Sequence, residues 1–194
     1  MSDALGNLLN QARACRTCEA HLPLGCRPVV AARAAARLLI IGQAPGTRVH
    51  ESGIPWDDPS GDRLRGWMGV DRDGFYDPAR VAIMPMGFCD PGRDKGGGDS
   101  PPRPECAPQW HGPIRALLPN IELTLLVGGY AQAYYLGGRK RSVTDAVGAW
   151  REHLPDYLPL PHPSWRTNSW AKRNLWFEAE VVPELRSHVR RLIS

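Results

Sequence analysis

Arg37-Leu38-Leu39-Ile40-Ile41-Gly42-Gln43-Ala44-Pro45-Gly46 (RLLIIGQAPG) is the stretch that decides the architecture. Its short, continuously apolar start, ended by Gly and Pro, fits a strand buried on both faces, as strands of parallel sheets are. Gly42, Pro45 and Gly46 then make a tight turn where main chain can approach a ligand closely. A plain strand-to-helix connection has the same composition, so the turn alone does not establish a site.

Working outward, RVAIMPM (Arg80 to Met86) and ELTLLVGG (Glu122 to Gly129) repeat the pattern, and DYLPLPHPS (Asp156 to Ser164) is a fourth strand restricted by its prolines. Helical patterns fill the intervals. Ser2 or Asp3 can cap a helix that aligns Leu5, Leu8, Leu9 and Ala12 on one face. GDRLRGWMG (residues 61–69), ECAPQWHGPIRALL (105–118), AQAYYLG (131–137) and SVTDAVGAWREHL (142–154, with Ser142 as N-cap) follow, and Ser169 to Ile193 is largely helical. Strands alternating with helices predict an α/β fold: a four-stranded parallel sheet sandwiched by helices. Ligands of such sheets bind beyond the carboxyl ends of the strands. GQAPG, the loop PMGFCDPGRDKGGGDSPPRPEC and HPSWR all fall at that edge.

The chain has 194 residues, 42% hydrophobic and 23% charged, which suits one globular domain spanning residues 1–194. No apolar run approaches the ~20 residues that cross a bilayer, and the N-terminus lacks the basic-then-apolar pattern of a signal peptide. A cytoplasmic monomer with no membrane partner is the expectation. The net charge of +4 is compatible with a polyanionic partner without establishing one. Basic residues gather late in the chain, among them Arg139, Lys140, Arg141, Arg166, Lys172 and Arg173, although a solvated helix face has the same look. Five cysteines in a cytosolic chain argue against a disulfide framework. Cys15 and Cys18 form a C-x-x-C pair, Cys89 and Cys106 flank the Gly/Pro-rich loop, and Cys26 stands apart.

Two motifs at the ligand edge belong together. Gly42-Gln43-Ala44-Pro45-Gly46 is followed by Gly53-Ile54-Pro55-Trp56, and the last strand ends in His162-Pro163-Ser164, a histidine between two prolines that fix its direction. In this order the motifs resemble the uracil-DNA glycosylase superfamily. With Cys15, Cys18, Cys89 and Cys106, the sequence looks nearest to the iron–sulfur-containing family 4 type.

That resemblance implies a small enzyme that hydrolyses the N-glycosidic bond of uracil, or of a related deaminated base, flipped out of DNA, leaving an abasic site. It places the base on the face of Trp56, a residue that a core tryptophan reading explains equally simply. It makes His162 the hydrogen-bond donor to the departing base anion, an oxyanion-hole role. Gln43 and Ala44 would help to bind the base through their amides, and Ser164 and Arg166 would meet DNA phosphates and the vacated stack. The cysteine tetrad would hold a 4Fe-4S cluster, with zinc or no metal as alternatives. Cys26 is a bystander or a substitute ligand.

The sequence also departs from that pattern. Gln43 stands where family 4 enzymes carry glutamate, and Val49 and His50 stand where they carry acidic residues. His50 and Glu51 become the candidates for activating water, with Asp57 and Asp58 behind them. Pro85 occupies the place of an asparagine that reads uracil, so main-chain groups of Pro85, Met86, Gly87 and Phe88 are the candidates for reading the base. A non-catalytic, lesion-binding member of the same fold is the alternative. A metal-dependent or nucleotide-binding α/β enzyme using the GQAPG turn for phosphate is a third reading, although that turn lacks both the Lys-Ser/Thr of a P-loop and the G-x-G-x-x-G of a dinucleotide site.

Overall fold

A computed structural model describes residues 3–137 and 141–193. All four expected strands form, each shorter than its apolar run: β1 Leu38–Ile41, β2 Val81–Ile83, β3 Leu123–Val127 and β4 Tyr157–Leu160. They pair in parallel in the order β2-β1-β3-β4. Beyond the ladder, the turns after β1 and β2 bond to one another, Met86 N–H to Gly42 O at 2.9 Å and Gly87 N–H to Gln43 O at 3.0 Å. Pro85 has no N–H for a ladder, which helps to end β2 there.

Helices cover both faces. α1 (Ala4–Arg13) is capped by Asp3, whose carboxylate accepts from Gly6 N at 3.0 Å; Ser2, the other expected cap, lies outside the described residues. α2 (Thr47–Ser52) and α4 (Arg72–Tyr76) are one-turn additions to the expected set, and α3 (Pro59–Met68) starts with Asp58 as N-cap and proline in its first turn. α5 (Cys106–Ala116), α6 (Gly129–Tyr135) and α7 (Val143–Gly148) follow. Ser142 and Asp145 form a reciprocal capping box on α7, which gives way to a 3₁₀ turn at Trp150–Glu152 earlier than its apolar spacing suggests. The C-terminal region is α8 (Thr167–Arg173), then a π turn at Phe177–Val181 running into α9 (Val182–Ile193).

Because successive strand residues point to opposite faces, the sheet feeds two cores. Leu38, Ile40, Leu125, Val127 and Leu160 pack against Leu64 and Met68 of α3 and Leu185 and Val189 of α9. Leu39, Ile41, Met84 and Leu126 pack against Leu5 and Leu9 of α1 and Ile114 of α5. Burying strands completely on both sides leaves their carboxyl ends as the place where polar groups can collect. Among the described residues, no helix is long and apolar enough to cross a membrane.

Candidate active site

The turn after β1 leads through α2 to Trp56, whose main chain is held in the left-handed region at φ 58°. A non-glycine residue keeps that conformation only when its surroundings determine it. Here the Trp56 carbonyl accepts from Tyr76 Oη at 3.2 Å and from Arg65 Nη1 at 3.4 Å. Arg65 is 5% exposed and is itself neutralised by Asp62, so its guanidinium acts as an internal brace. Two glycines make room for Trp56, Gly42 for its indole and Gly61 for its main chain. A Cβ on Gly42 would lie 2.6 Å from Trp56 Cζ2, and one on Gly61 would lie 1.8 Å from Trp56 O.

Opposite this wall, the end of β4 carries His162 between the buried prolines 161 and 163. Gln132 of α6 ties the strands beneath it, donating to Leu160 O at 2.8 Å and to Leu126 O at 3.2 Å. The Thr167 hydroxyl donates to His162 O and fixes the main chain on the other side. The rings of Trp56 and His162 stand 5.9 Å apart between centroids, tilted by 35°. Burial pushes the His162 imidazole below its ordinary pKa, against the pull of Asp58 and Asp99, so it is neutral at neutral pH.

Both rings line one cleft, about 550 Å³ measured out to its open mouth. Gln43, Ala44, Val49, Trp56, Pro85 and His162 line it. Three of the expected base-contacting residues, Gln43, Ala44 and Pro85, are therefore at its wall. His50 and Glu51 are not: α2 turns Val49 to the cleft, leaves Glu51 exposed, and buries His50 Nδ1 without a hydrogen-bond partner among the described residues. Asp58 and Asp99 are the carboxylates that line the cleft.

The main chain beyond β2 is already committed. Met86 and Gly87 amides bond to the first turn, the Phe88 amide donates to Cys106 Sγ at 3.3 Å, and Pro85 O accepts from His111 Nε2 at 3.0 Å. These groups hold the wall together and leave no amide N–H of Met86, Gly87 or Phe88 to read a base. Met86 and Gly87 do not line the cleft. The amides of Gln43 and Ala44, by contrast, donate to no protein acceptor among the described residues.

Outside the cleft, Ser164 O accepts from Arg63 Nη1 at 3.0 Å, and the exposed Arg166 stacks over Trp165, 5.4 Å from guanidinium to ring. Trp165 is 74% exposed, an unusual state for a large aromatic. Arg139 and Lys140 lie outside the described residues.

A second cavity, about 380 Å³ to its mouth, is bordered by Cys15, Cys18, Cys89 and Cys106, and also by Cys26. All five are free thiols. Burial raises the Cys89 and Cys106 thiols to about 12, the Phe88 amide on Cys106 and the Arg27 amide on Cys89 acting the other way. Among the described residues no three His, Cys, Asp or Glu groups converge as ligands of a single ion. Thiolate sulfurs bordering one space are the donor type that either an iron–sulfur group or zinc would use.

The sequence reading missed Asp99, hidden in a run of glycines and prolines, and His111, which looked like part of an ordinary helix. His111 is 1% exposed and joins Tyr135 Oη (2.7 Å) to Pro85 O. As a carbonyl only accepts, Nε2 carries the proton and Nδ1 accepts from the tyrosine. Trp165 was equally unmarked.

A family model described as the uracil DNA glycosylase superfamily matches residues 30–186. The matched span contains the first turn, Trp56, Cys89, Cys106 and the histidine at the end of β4, and it begins after Cys15 and Cys18.

Proposed function

Because the chain belongs to the uracil DNA glycosylase superfamily, we propose that it is a DNA glycosylase that hydrolyses the N-glycosidic bond of uracil, or of a related deaminated base, flipped out of DNA, leaving an abasic site. The observation that carries this reading is the indole of Trp56 and the imidazole of His162 side by side in the lining of one cleft at the strand ends. Unstacking a nucleotide costs a few kcal/mol, which a snug pocket must offset. Stacking on an indole contributes about 1–3 kcal/mol per base.

As the glycosidic bond breaks, negative charge grows on the base. A neutral imidazole still has one ring N–H, which can donate to the base carbonyl oxygen and stabilise that charge. The pair of flanking prolines and the Thr167 bond hold His162 ready, so little reorganisation is required. The unsatisfied amides of Gln43 and Ala44 supply further donors, and Arg166 with Ser164 meets the phosphates. Cys15, Cys18, Cys89 and Cys106 would hold a 4Fe-4S cluster, whose contribution is structural: it fastens the N-terminal segment and the Gly/Pro-rich loop to the sheet edge.

The absence of a carboxylate at Gln43 and Val49 also supports a second reading, a lesion-binding protein without turnover. Both are tested by incubating the protein with oligonucleotides bearing uracil, hypoxanthine or xanthine and scoring alkali-labile breaks. Release of free base supports the glycosylase. Salt-sensitive binding to lesion DNA with no release supports the binding protein.

A further inference from the structure

Hydrolysis at C1′ needs a group that accepts a proton from water and steadies positive charge on the sugar, and the first turn offers none. We propose that Asp99, delivered by the loop between Cys89 and Cys106, is the catalytic carboxylate of this site, an inference that rests on the glycosylase reading above.

Five observations support the assignment. Asp99 lines the cleft that holds His162 and Trp56, and its carboxylate accepts no hydrogen bond among the described residues. The loop is ordered by its own bonds: Asp94 N to Gly98 O at 2.8 Å, Ser100 N to Gly92 O at 2.9 Å, and a bridge between Arg93 and Asp99. It is anchored at the cleft by Gln43, whose Nε2 donates to Ser100 O at 3.2 Å. The glutamine at the first turn thus grips the residue next to Asp99. Asp58, the other carboxylate of the cleft, is already engaged, its Oδ1 accepting from Gly61 N at 2.8 Å as the cap of α3. Cys89 and Cys106 border the thiol cavity at the two ends of the loop, so whatever fastens them also limits how far Asp99 can move.

In the step this implies, the C1′–N bond breaks and its electron pair leaves with the base, while the water oxygen bonds to C1′. The water proton passes to the Asp99 carboxylate and from there to solvent, and the base anion is protonated from solvent. Water is the only co-reactant.

The test is single-turnover base release by wild type, D99N and D58N on uracil-containing DNA across pH, with DNA affinity measured in parallel. D99N is expected to lower the rate ~10²–10⁴-fold, with unchanged affinity and melting temperature. Wild-type rates in D99N, or a loss confined to D58N, overturn the assignment and leave the glycosylase reading standing. A wild-type protein that releases no base from any oligonucleotide of the panel overturns both.

Discussion

The indole of Trp56 rests on Gly42 so closely that even a methyl group there would stand 2.6 Å from Cζ2. The Trp56 indole and the first turn are therefore one packed unit. Gly42→Ala is expected to push the indole into the cleft and cost about 1–3 kcal/mol of base stacking. Titration of lesion-bearing DNA checks this, with matched DNA as reference. Gly61→Ala meets main chain at 1.8 Å, which cannot swing away. It should cost roughly 1–3 kcal/mol of stability, and differential scanning calorimetry should show the lowered melting temperature.

His162→Ala should reduce base release by about 10²–10³-fold with an unchanged melt, since the ring makes no hydrogen bond within the described protein. The wild-type rate should stay level through neutrality, because burial already keeps the imidazole neutral there. Equal turnover in mutant and wild type would remove the histidine from the chemistry.

His111 makes stability pH-dependent. Burial lowers it from 6.5 to about 4, so the unfolded chain binds a proton before the folded chain does. Its contribution is complete above pH 6.5 and is lost as pH falls toward 4, on the order of 3 kcal/mol. His162 is shifted in the same direction. Melting temperatures of His111→Gln and wild type should therefore converge on acidification through that window.

Trp165, at 74% exposure, has little packing to lose. Trp165→Ala should leave the melt unchanged while weakening DNA binding by ~1–3 kcal/mol. Arg166→Ala should lower the slope of affinity against salt by about one. Fluorescence anisotropy at several salt concentrations measures both.

For the thiol cavity, Cys89→Ser and Cys106→Ser should lose iron, sulfide and visible absorption, whereas Cys26→Ser should keep them. Loss of the group should also open residues 91–104 to proteolysis, since Cys89 and Cys106 flank that loop. A colourless wild-type preparation made anaerobically would remove the cluster.

Much of the frame was legible because burial on both faces leaves a plain mark: four apolar runs gave four strands. Their spatial order carries no such mark, and neither do one-turn helices such as Thr47–Ser52, which are too short for a period. Trp56 and His162 stood out because glycine and proline punctuate the chain around them. Trp56's left-handed main chain was invisible, since it depends on side chains of Arg65 and Tyr76 that only the folding of α3 and α4 brings back to its carbonyl. Asp99 and His111 were missed for a related reason. Their positions come from Gln43 and Pro85, partners that only the folded sheet brings near. His50 and Glu51 were favoured by their place in the sequence, but the phase of α2 presents Val49 instead.

The segment that follows β2 borders the cleft at Pro85 and the thiol cavity at Cys89. Four peptide units, at most ~14 Å of chain, join the two, and every amide N–H from Met86 to Phe88 is spoken for. Energetic effects of substitutions placed on either side of that short bridge will not sum, because each perturbs the other's reference state.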